Sequence, residues 1–523
     1  NLTNINANKV EQDKLSRQMS SKKKISRPSE DPVVAIRALR LRNSVSEITQ
    51  YYSKNIPDAT NWLELTEDSL DELSNILDDM GQQCTKGANG ELTSSDREVI
   101  TAQLKELQDA YYACGNSDMA GRYLFTGLRT DTPLRFLENT TKEYTITQQM
   151  DLSAIDEVTV VGTTKNVAGA TVDLMDVNAD NYDELTINQS DVTRTQLHRV
   201  RLAYKNCDDA IPADPEDPTD TGFTPTLEYY DTTGTRVSIP TRMIHSYEDP
   251  YSQVETDPAS GPVYIPETGE ILLDDETYQK MMATKDNVTT QGQNESEIRI
   301  TYQKTNWNEG ELRPEHYFYC ESPNASGDTV LYNEPYLSTF GLPDTQDSQS
   351  IAYDVGFSQS LQINITADQC FHPGINRDID DLVSALESWK DLETVQKQMQ
   401  DLLETAQGSE KDAITARLDA LGKAITFQKD KVQRLMENEL TRLDDYLDDV
   451  SLCITECGTR SSKLSLIEKR ALGQKTSFDD LASKNEDIDV TEVALALSSA
   501  EFTYNAALMA TGKVMQTSLI NYI

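Results

Sequence analysis

Basic charge is what this 523-residue chain has least of for its size: 47 Lys and Arg stand against 88 Asp and Glu, a net charge of −41. Such a surface repels nucleic acid and anionic membranes, so no nucleic acid partner is expected. No apolar run reaches the ~18 residues that a spanning helix needs, so no membrane span is expected. Histidine is scarce, at four (His198, His245, His316, His372), and no HExxH spacing joins any of them. Walker, GxGxxG and GxSxG patterns are absent too. The seven cysteines are Cys84, Cys114, Cys207, Cys320, Cys370, Cys453 and Cys457, an odd number with no CxxC pair, which speaks against a disulfide framework. Cys453 and Cys457 sit i, i+4 on a helical segment without further ligands nearby, and read as small core residues. No catalytic residue, metal site or cofactor is therefore expected, and the chain does not read as an enzyme. No secretory leader is present, and the chain begins at Asn1 rather than Met, so further N-terminal residues are expected.

What is present is helix at both ends. Ile488 to Ile523 holds no Pro and one Gly, Gly512. A seam of apolar or small residues runs Val493, Leu497, Ala500, Tyr504, Ala507, Thr511, Val514, Ser518, in coiled-coil steps of four and three. A second stripe, Leu495, Phe502, Met509, falls on roughly the opposite side. A third, Leu508, Met515, Leu519, Tyr522, lies between. A helix of this stretch is about 54 Å long. Apolar on several faces, it needs partners on more than one side. At the other end, 1–24 is helical by pattern, with Ile5, Leu15 and Met19 on a seam that Asn8 and Gln12 weaken. Lys22, Lys23 and Lys24 follow. Residues 25–33 form a joint carried by Arg27, Pro28, Ser29, Asp31 and Pro32. Ser29 or Asp31 can cap the next helix, and Pro32 suits its first turn.

From Val33 to about Gly87 one long seam includes Ala38, Ile48, Ala59, Trp62, Leu70, Leu77 and Cys84. Pro57 should kink or split the helix there. A further helix over 96–113 turns Val99, Ile100, Leu104, Leu107 and Tyr111 inward. Arg122 to Thr130 reads as a hairpin turning at Gly127. From Phe136 to about Pro373 the composition changes to Thr, Tyr, Asp, Asn, Gly and Pro. Alternating runs at 298–302, 361–365 and 200–204 read as half-buried antiparallel strands. The acidic stretch Pro212–Asp220 reads as a loop that could separate two subdomains. Tyr229-Tyr230 and Tyr317-Phe-Tyr319 read as strand-face packing rather than a sugar groove. Helix returns near Ile375 and runs to Arg470, broken at Gly408, and 473–479 reads as a joint before the terminal helix. The fold class is thus mainly α with a β-rich insertion: a nested helical rod or coiled-coil bundle from both chain ends, with an antiparallel β outer domain in the middle. Its expected divisions are 1–32, 33–137, 138–373, 374–485 and 486–523.

Four stretches carry a family resemblance. They are Lys14 to Val33 with its Arg-Pro-Ser-Glu-Asp-Pro core, Asp58-Ala-Thr-Asn-Trp-Leu with Thr66-Glu-Asp-Ser-Leu, Gly121-Arg-Tyr-Leu-Phe-Thr-Gly, and Ala506 to Ile523. Together they resemble the bacterial flagellin family, in its branch of hook-associated proteins from the hook–filament junction. The resemblance covers roughly 1–137 and 355–523; Pro57, the extra length from Trp389 to Phe427 and the large middle domain depart from it. It implies a structural, self-assembling part of the bacterial flagellum, serving cell motility. The terminal helices would pair and line an inner tube, with the middle domain outward. Export would be by a type III apparatus, with a chaperone and without a cleaved secretory signal. The implied partners are copies of itself in a ring, the other hook-associated junction protein and flagellin. The assembly interface would be Ile5, Leu15, Met19, Val493, Leu495, Leu497, Phe502, Tyr504, Leu508, Met509, Val514, Met515, Leu519 and Tyr522. Two other readings stand beside it. One is a filament-forming flagellin, which more often reads Arg-Ala-Gly-Asp-Asp-Ala at the Arg27-Pro-Ser position. The other is a glycan-binding or hydrolytic surface protein, which needs a cleft in 138–373 with two facing carboxylates.

Overall fold

The computed structural model describes residues 2–89, 92–167, 170–211, 222–256, 261–284, 298–324, 326–334 and 349–520, with the side chains of 514–520 outside that description. The Pro212–Asp220 loop lies outside the described residues. Helices α1 (Leu2–Ser21), α2 (Pro32–Gln50), α3 (Ile56–Asn89) and α4 (Ser94–Cys114) open the chain. The short helices α5 (Pro250–Thr256), α6 (Asp275–Met282) and α7 (Ala367–Cys370) lie in the middle. The chain closes with α8 (Gly374–Leu403), α9 (Ser409–Glu486) and α10 (Val490–Ile520). The fold is mainly helical with a mostly antiparallel β insertion, and it forms two compact units.

The first unit comprises Asn1–Leu63, Ala352–Ile363 and Thr459–Ile523. Asp31, not Ser29, caps α2: its Oδ1 accepts from the amides of Val33 at 3.0 Å and Val34 at 3.1 Å. Pro32 fills the first helical position, where no amide is needed. Pro57 splits the helix as its missing N–H requires, and a single π turn, Tyr51–Asn55, makes the break. The Ile56 amide bonds Tyr51 O, so the ladder shifts by one residue just before the proline. A hairpin of β16 (Ala352–Gly356) and β17 (Gln359–Gln362) packs on this turn. Asn55 Nδ2 donates to Asp354 O at 2.7 Å, and the Phe357 ring meets Tyr51 and Phe478 edge-on at 5.8 and 6.0 Å.

No joint exists at 473–479. Helix α9 runs through it to Glu486. A glycine inside a helix costs only about 1 kcal/mol relative to alanine, and Gly473 sits between the buried Ala471 and the packed Phe478. The break falls at 487–489, where Asp489 Oδ1 accepts from the amides of Thr491 at 2.9 Å and Glu492 at 3.2 Å.

The second unit comprises Glu64–Ile351 and Asn364–Gly458. Thr93 and Asp96 form a reciprocal cap at the start of α4. Ile100, Leu104 and Tyr111 turn inward, but Val99 is 52% exposed, because the inward face is set by Ile100. Helix α4 lies along α8. There Arg97, 3% exposed, stacks 4.0 Å over Trp389 and pairs with Glu393, and Tyr111 Oη donates to Cys370 O at 2.9 Å. The expected Arg122–Thr130 hairpin is instead β1 (Asp118–Met119) and β2 (Arg122–Tyr123), turning at Ala120 and Gly121 with φ of 55° and 80°.

The remaining strands are β3 (Thr140–Met150), β4 (Ile155–Thr163), β5 (Asn166–Val167), β6 (Ala170–Thr171), β7 (Val192–Arg201), β8 (Thr226–Tyr230) and β9 (Arg236–Pro240). They continue with β10 (Arg242–Met243), β11 (Val263–Ile265), β12 (Glu270–Leu273), β13 (Ile298–Trp307), β14 (Tyr319–Pro323) and β15 (Thr329–Tyr332). One antiparallel sheet has the order β15-β14-β3-β13-β8-β9; a second has β10-β11-β12-β7-β4, with β10 and β11 parallel; β5 and β6 form a ribbon. The alternating run at 298–302 lies within β13. That at 200–204 leaves the ladder after Arg201, where the Leu202 amide turns to Gly269 O at 2.9 Å. The run at 361–365 leaves after Gln362, because the Asn364 side chain is drawn to the Ile351 amide at 2.7 Å.

The extra helical length from Trp389 to Phe427 has a partner. The ends of α8 and α9 form a hairpin turning at Gly408, whose φ is 63°, and Leu392, Val395, Met399, Ile414 and Leu421 share a core with Val172, Leu174, Val177 and Ile187. Arg417 is 1% exposed and donates from Nη2 to Val177 O at 2.8 Å. Burial pushes its guanidinium down to about 10.

Candidate assembly surface

Helices α1 and α10 pack against each other. Their joints fix the direction. The Lys24 amide bonds Glu486 O at 2.7 Å and the Ile488 amide bonds Lys22 O at 3.2 Å, so the end of α1 meets the start of α10 and the pair is antiparallel. On α1, Ile5, Asn8, Gln12, Leu15, Gln18 and Met19 are half-buried; on α10, Val493, Leu497, Ala500, Tyr504, Ala507 and Thr511 are. One stripe of each helix is thereby covered by the other.

The other faces of α10 are open. Leu495 is 70% exposed, Phe502 77%, Met509 75% and Leu508 44%. The side chains of Val514, Met515 and Leu519, and all of Tyr522, lie outside the described residues. A further apolar strip on α2, Val33, Ile36 and Leu39, is at least half exposed. These three were not among the expected assembly residues, although they recur every three residues along α2, on one side of the helix. Leu466, Leu472 and Leu481 on α9 are also exposed. Exposed apolar side chains repeated along one helix face are candidates for an interaction face.

The two joints are held by charge. Lys23 Nζ lies 2.6 Å from Asp487 Oδ1 and 3.4 Å from Glu486 Oε2. Arg42 grips Glu486 with Nε on Oε1 at 2.7 Å and Nη2 on Oε2 at 2.5 Å. The Arg42 bond holds the Glu486 carboxyl below its ordinary range, and the Lys23 bond does the same for Asp487. Within 25–33, Glu30 folds back to the Ser26 amide at 2.8 Å and its own amide bonds Arg27 O at 3.0 Å, a turn in which Pro28 and Ser29 are exposed. The Lys22–Lys24 run thus has an acidic counterpart at 486–487.

Elsewhere the cysteines and histidines all lie within the second unit. All seven cysteines are free and buried, and among the described residues no group of three or more His, Cys, Asp or Glu could hold a metal. His198 stacks on Tyr278, and His372 stacks on Tyr446. Burial pushes His316 down to about 4. His245 bonds Glu267 at 2.7 Å. Tyr229, Tyr317 and Tyr319 are buried. A cavity of about 370 Å³ in the second unit does have carboxylates of the β-rich segment on its wall, Glu157, Glu267 and Glu270. Glu270 is taken by Arg199 and by Tyr251 Oη. Burial raises Glu267, but its backbone bonds and His245 hold it below its ordinary range. A glycosidase acid needs a raised carboxyl, the opposite shift. No helix among the described residues is long and apolar enough to cross a membrane.

Residues 1–130 match the family described as the bacterial flagellin N-terminal helical region. Two curated relatives each align over a quarter of the chain. Flagellar hook-associated protein 3 of Salmonella typhimurium is 30% identical over 132 residues, and that of Escherichia coli 29% over 133, in each case 25% of this chain. The chain spans only 41% and 42% of the length of those relatives in the match. Among solved structures, the flagellar junction protein FlgL of Legionella pneumophila aligns over 82% of this chain and 99% of its own, at 11% identity and a TM-score of 0.26. A likeness that slight carries no argument. Residues 1–130 of the chain are of the flagellin N-terminal helical type, and over a quarter of its length the chain is similar to flagellar hook-associated protein 3.

Proposed function

We propose that this chain is a structural, non-enzymatic component of the bacterial flagellum, forming an adaptor ring between hook and filament. The observation that carries the reading is the open stripe on α10: Leu495, Phe502 and Met509 stay at least 70% exposed although α1 already covers the opposite seam. Burial of one such side chain stabilises by about 1.5–3 kcal/mol, so neighbouring copies packed on this stripe would gain several times that per subunit. The terminal helices would line the inner tube, and the β-rich segment, 138–373, would face outward. The partners would be copies of the chain, flagellin and the other hook-associated junction protein, reached after type III export with a chaperone.

A filament-forming flagellin is the second reading, since it would use the same terminal surface. The Arg27-Pro-Ser-Glu-Asp-Pro core and the hook-associated relatives favour the junction. Deleting Leu508 to Ile523 tests the assembly role in either case. The truncated chain is expected to be exported but lost from isolated flagella, read by immunoblot of sheared filaments against culture supernatant. Incorporation at the full-length level would refute it.

A further inference from the structure

The cavity between the β4-β7-β12 face and helices α8 and α9 has five cations and five carboxylates on its wall, and not all of the cations are bonded. Most ionic groups on its wall are paired: Arg199 with Glu270 and Asp381, Lys205 with Asp380, Glu267 with His245. Glu157 and Arg434, also on the wall, are exposed to solvent. Two cations are left. Arg377 is 3% exposed and is fixed by one bond, from Nη2 to Thr268 O; its Nε and Nη1 are buried without an acceptor. Lys431 lies on the same wall, and no hydrogen bond or ion pair to a described residue engages it. Burial lowers the pKa of both groups, and the nearby charges of Asp381 and Glu270 do not fully offset it. Thr268 Oγ1, on the same wall, is also buried without a partner.

Unsatisfied buried donors are costly, so the two idle nitrogens of Arg377 call for an acceptor, and Lys431 on the same wall could share it. Arg377 also borders a smaller cavity of about 220 Å³, whose wall lacks Lys431 and Thr268. The larger cavity offers about 370 Å³, within the range of small-molecule sites.

We propose that this cavity binds a small molecule through one carboxylate or phosphate group, held by Arg377, Lys431 and the Thr268 hydroxyl. Arg377 and Lys431 supply charge-assisted donors and Thr268 a rotatable one. The site lies in the second unit and stands independently of the assembly reading.

Calorimetric titration of the full-length chain with inorganic phosphate, with galacturonate and with neutral galactose tests this. One of the two anions is expected to saturate a single site and galactose is not; which anion binds more tightly identifies the group. Lys431→Met should weaken that binding by about tenfold or more, the loss of one charge-assisted contact. Arg377→Leu should do the same if it folds; Lys431 makes no bond in the fold, so its variant carries the test alone. No saturation by either anion would overturn the proposal. So would unchanged affinity in Lys431→Met, or galactose binding as well as galacturonate.

Discussion

Phe502→Asp combined with Leu495→Asp is expected to abolish incorporation into flagella while leaving the β-rich unit's thermal unfolding unchanged. Both side chains are more than two-thirds exposed in the single chain, so the isolated protein loses little by the change. In an assembly the cost is different. Each substitution removes about 1.5–3 kcal/mol of apolar burial and places a carboxylate where no cation of α10 can answer it. After Glu501 the one charged side chain to Ile523 is Lys513. The two burial losses sum to about 3–6 kcal/mol per subunit, about a hundredfold or more in an association constant, before the cost of the carboxylates is added. The measurement is the fraction of the variant in sheared flagella, alongside a melting curve. A lowered melting midpoint with normal incorporation would mean that the stripe serves the fold and not the assembly.

Asp378→Ala is expected to destabilise the second unit by about 3–5 kcal/mol, the usual cost of stranding buried charge. The Asp378 side chain is 1% exposed and accepts from Arg201 Nη2 at 2.6 Å, from Arg442 and from Tyr446 Oη at 3.2 Å. It belongs to a network that ties strand to helix: Asp156 of β4, Arg199 and Arg201 of β7, Asp381 of α8 and Arg442 of α9. The same network sets an acid limit. Burial raises the carboxyls of Asp156 and Asp381, but Arg199 and Arg201 more than offset it, and both end below 3.8. A folded-state pKa below the unfolded one gives stability that is complete above the unfolded value of about 3.9 and is lost as pH falls through the folded value. Urea midpoints should therefore hold from neutral pH to about 5 and fall below about 4. In Asp378→Ala the midpoint at neutral pH should already be low.

The helical half of this fold was legible because its signal is local. The seam through Ala38, Ile48, Ala59, Trp62, Leu70, Leu77 and Met80 is buried at each of those positions. Asp31-Pro32 was legible as a helix start for the same reason. Errors came where one local cue was given too much weight. Gly473 suggested a break that the packing around it overrides, although the cap at Asp489 was present in the sequence. Val99 was assigned inward beside Ile100, although two adjacent helical residues lie about 100° apart and cannot share one face equally.

The β-rich segment was legible only as strands. Its sheet orders join β3 to β13 and β12 to β7 across long separations, and alternation of residues within one strand says nothing about which strand it pairs with. The ion network and the cavity were hidden for that reason. Arg199, Asp156, Glu270 and Asp381 come from four separate elements, and each alone is one charge among many. The open stripe on α10 was legible because its spacing is helical and its exposure follows from which seam α1 covers.

Seeded growth followed by negative-stain electron microscopy tests the junction reading most directly. Purified chain is incubated alone and with short flagellin filaments as seeds. The account predicts no long fibres from the chain alone, and addition of the chain confined to one end of the seeds. Long self-extending fibres in the absence of flagellin would contradict it and make this a filament protein.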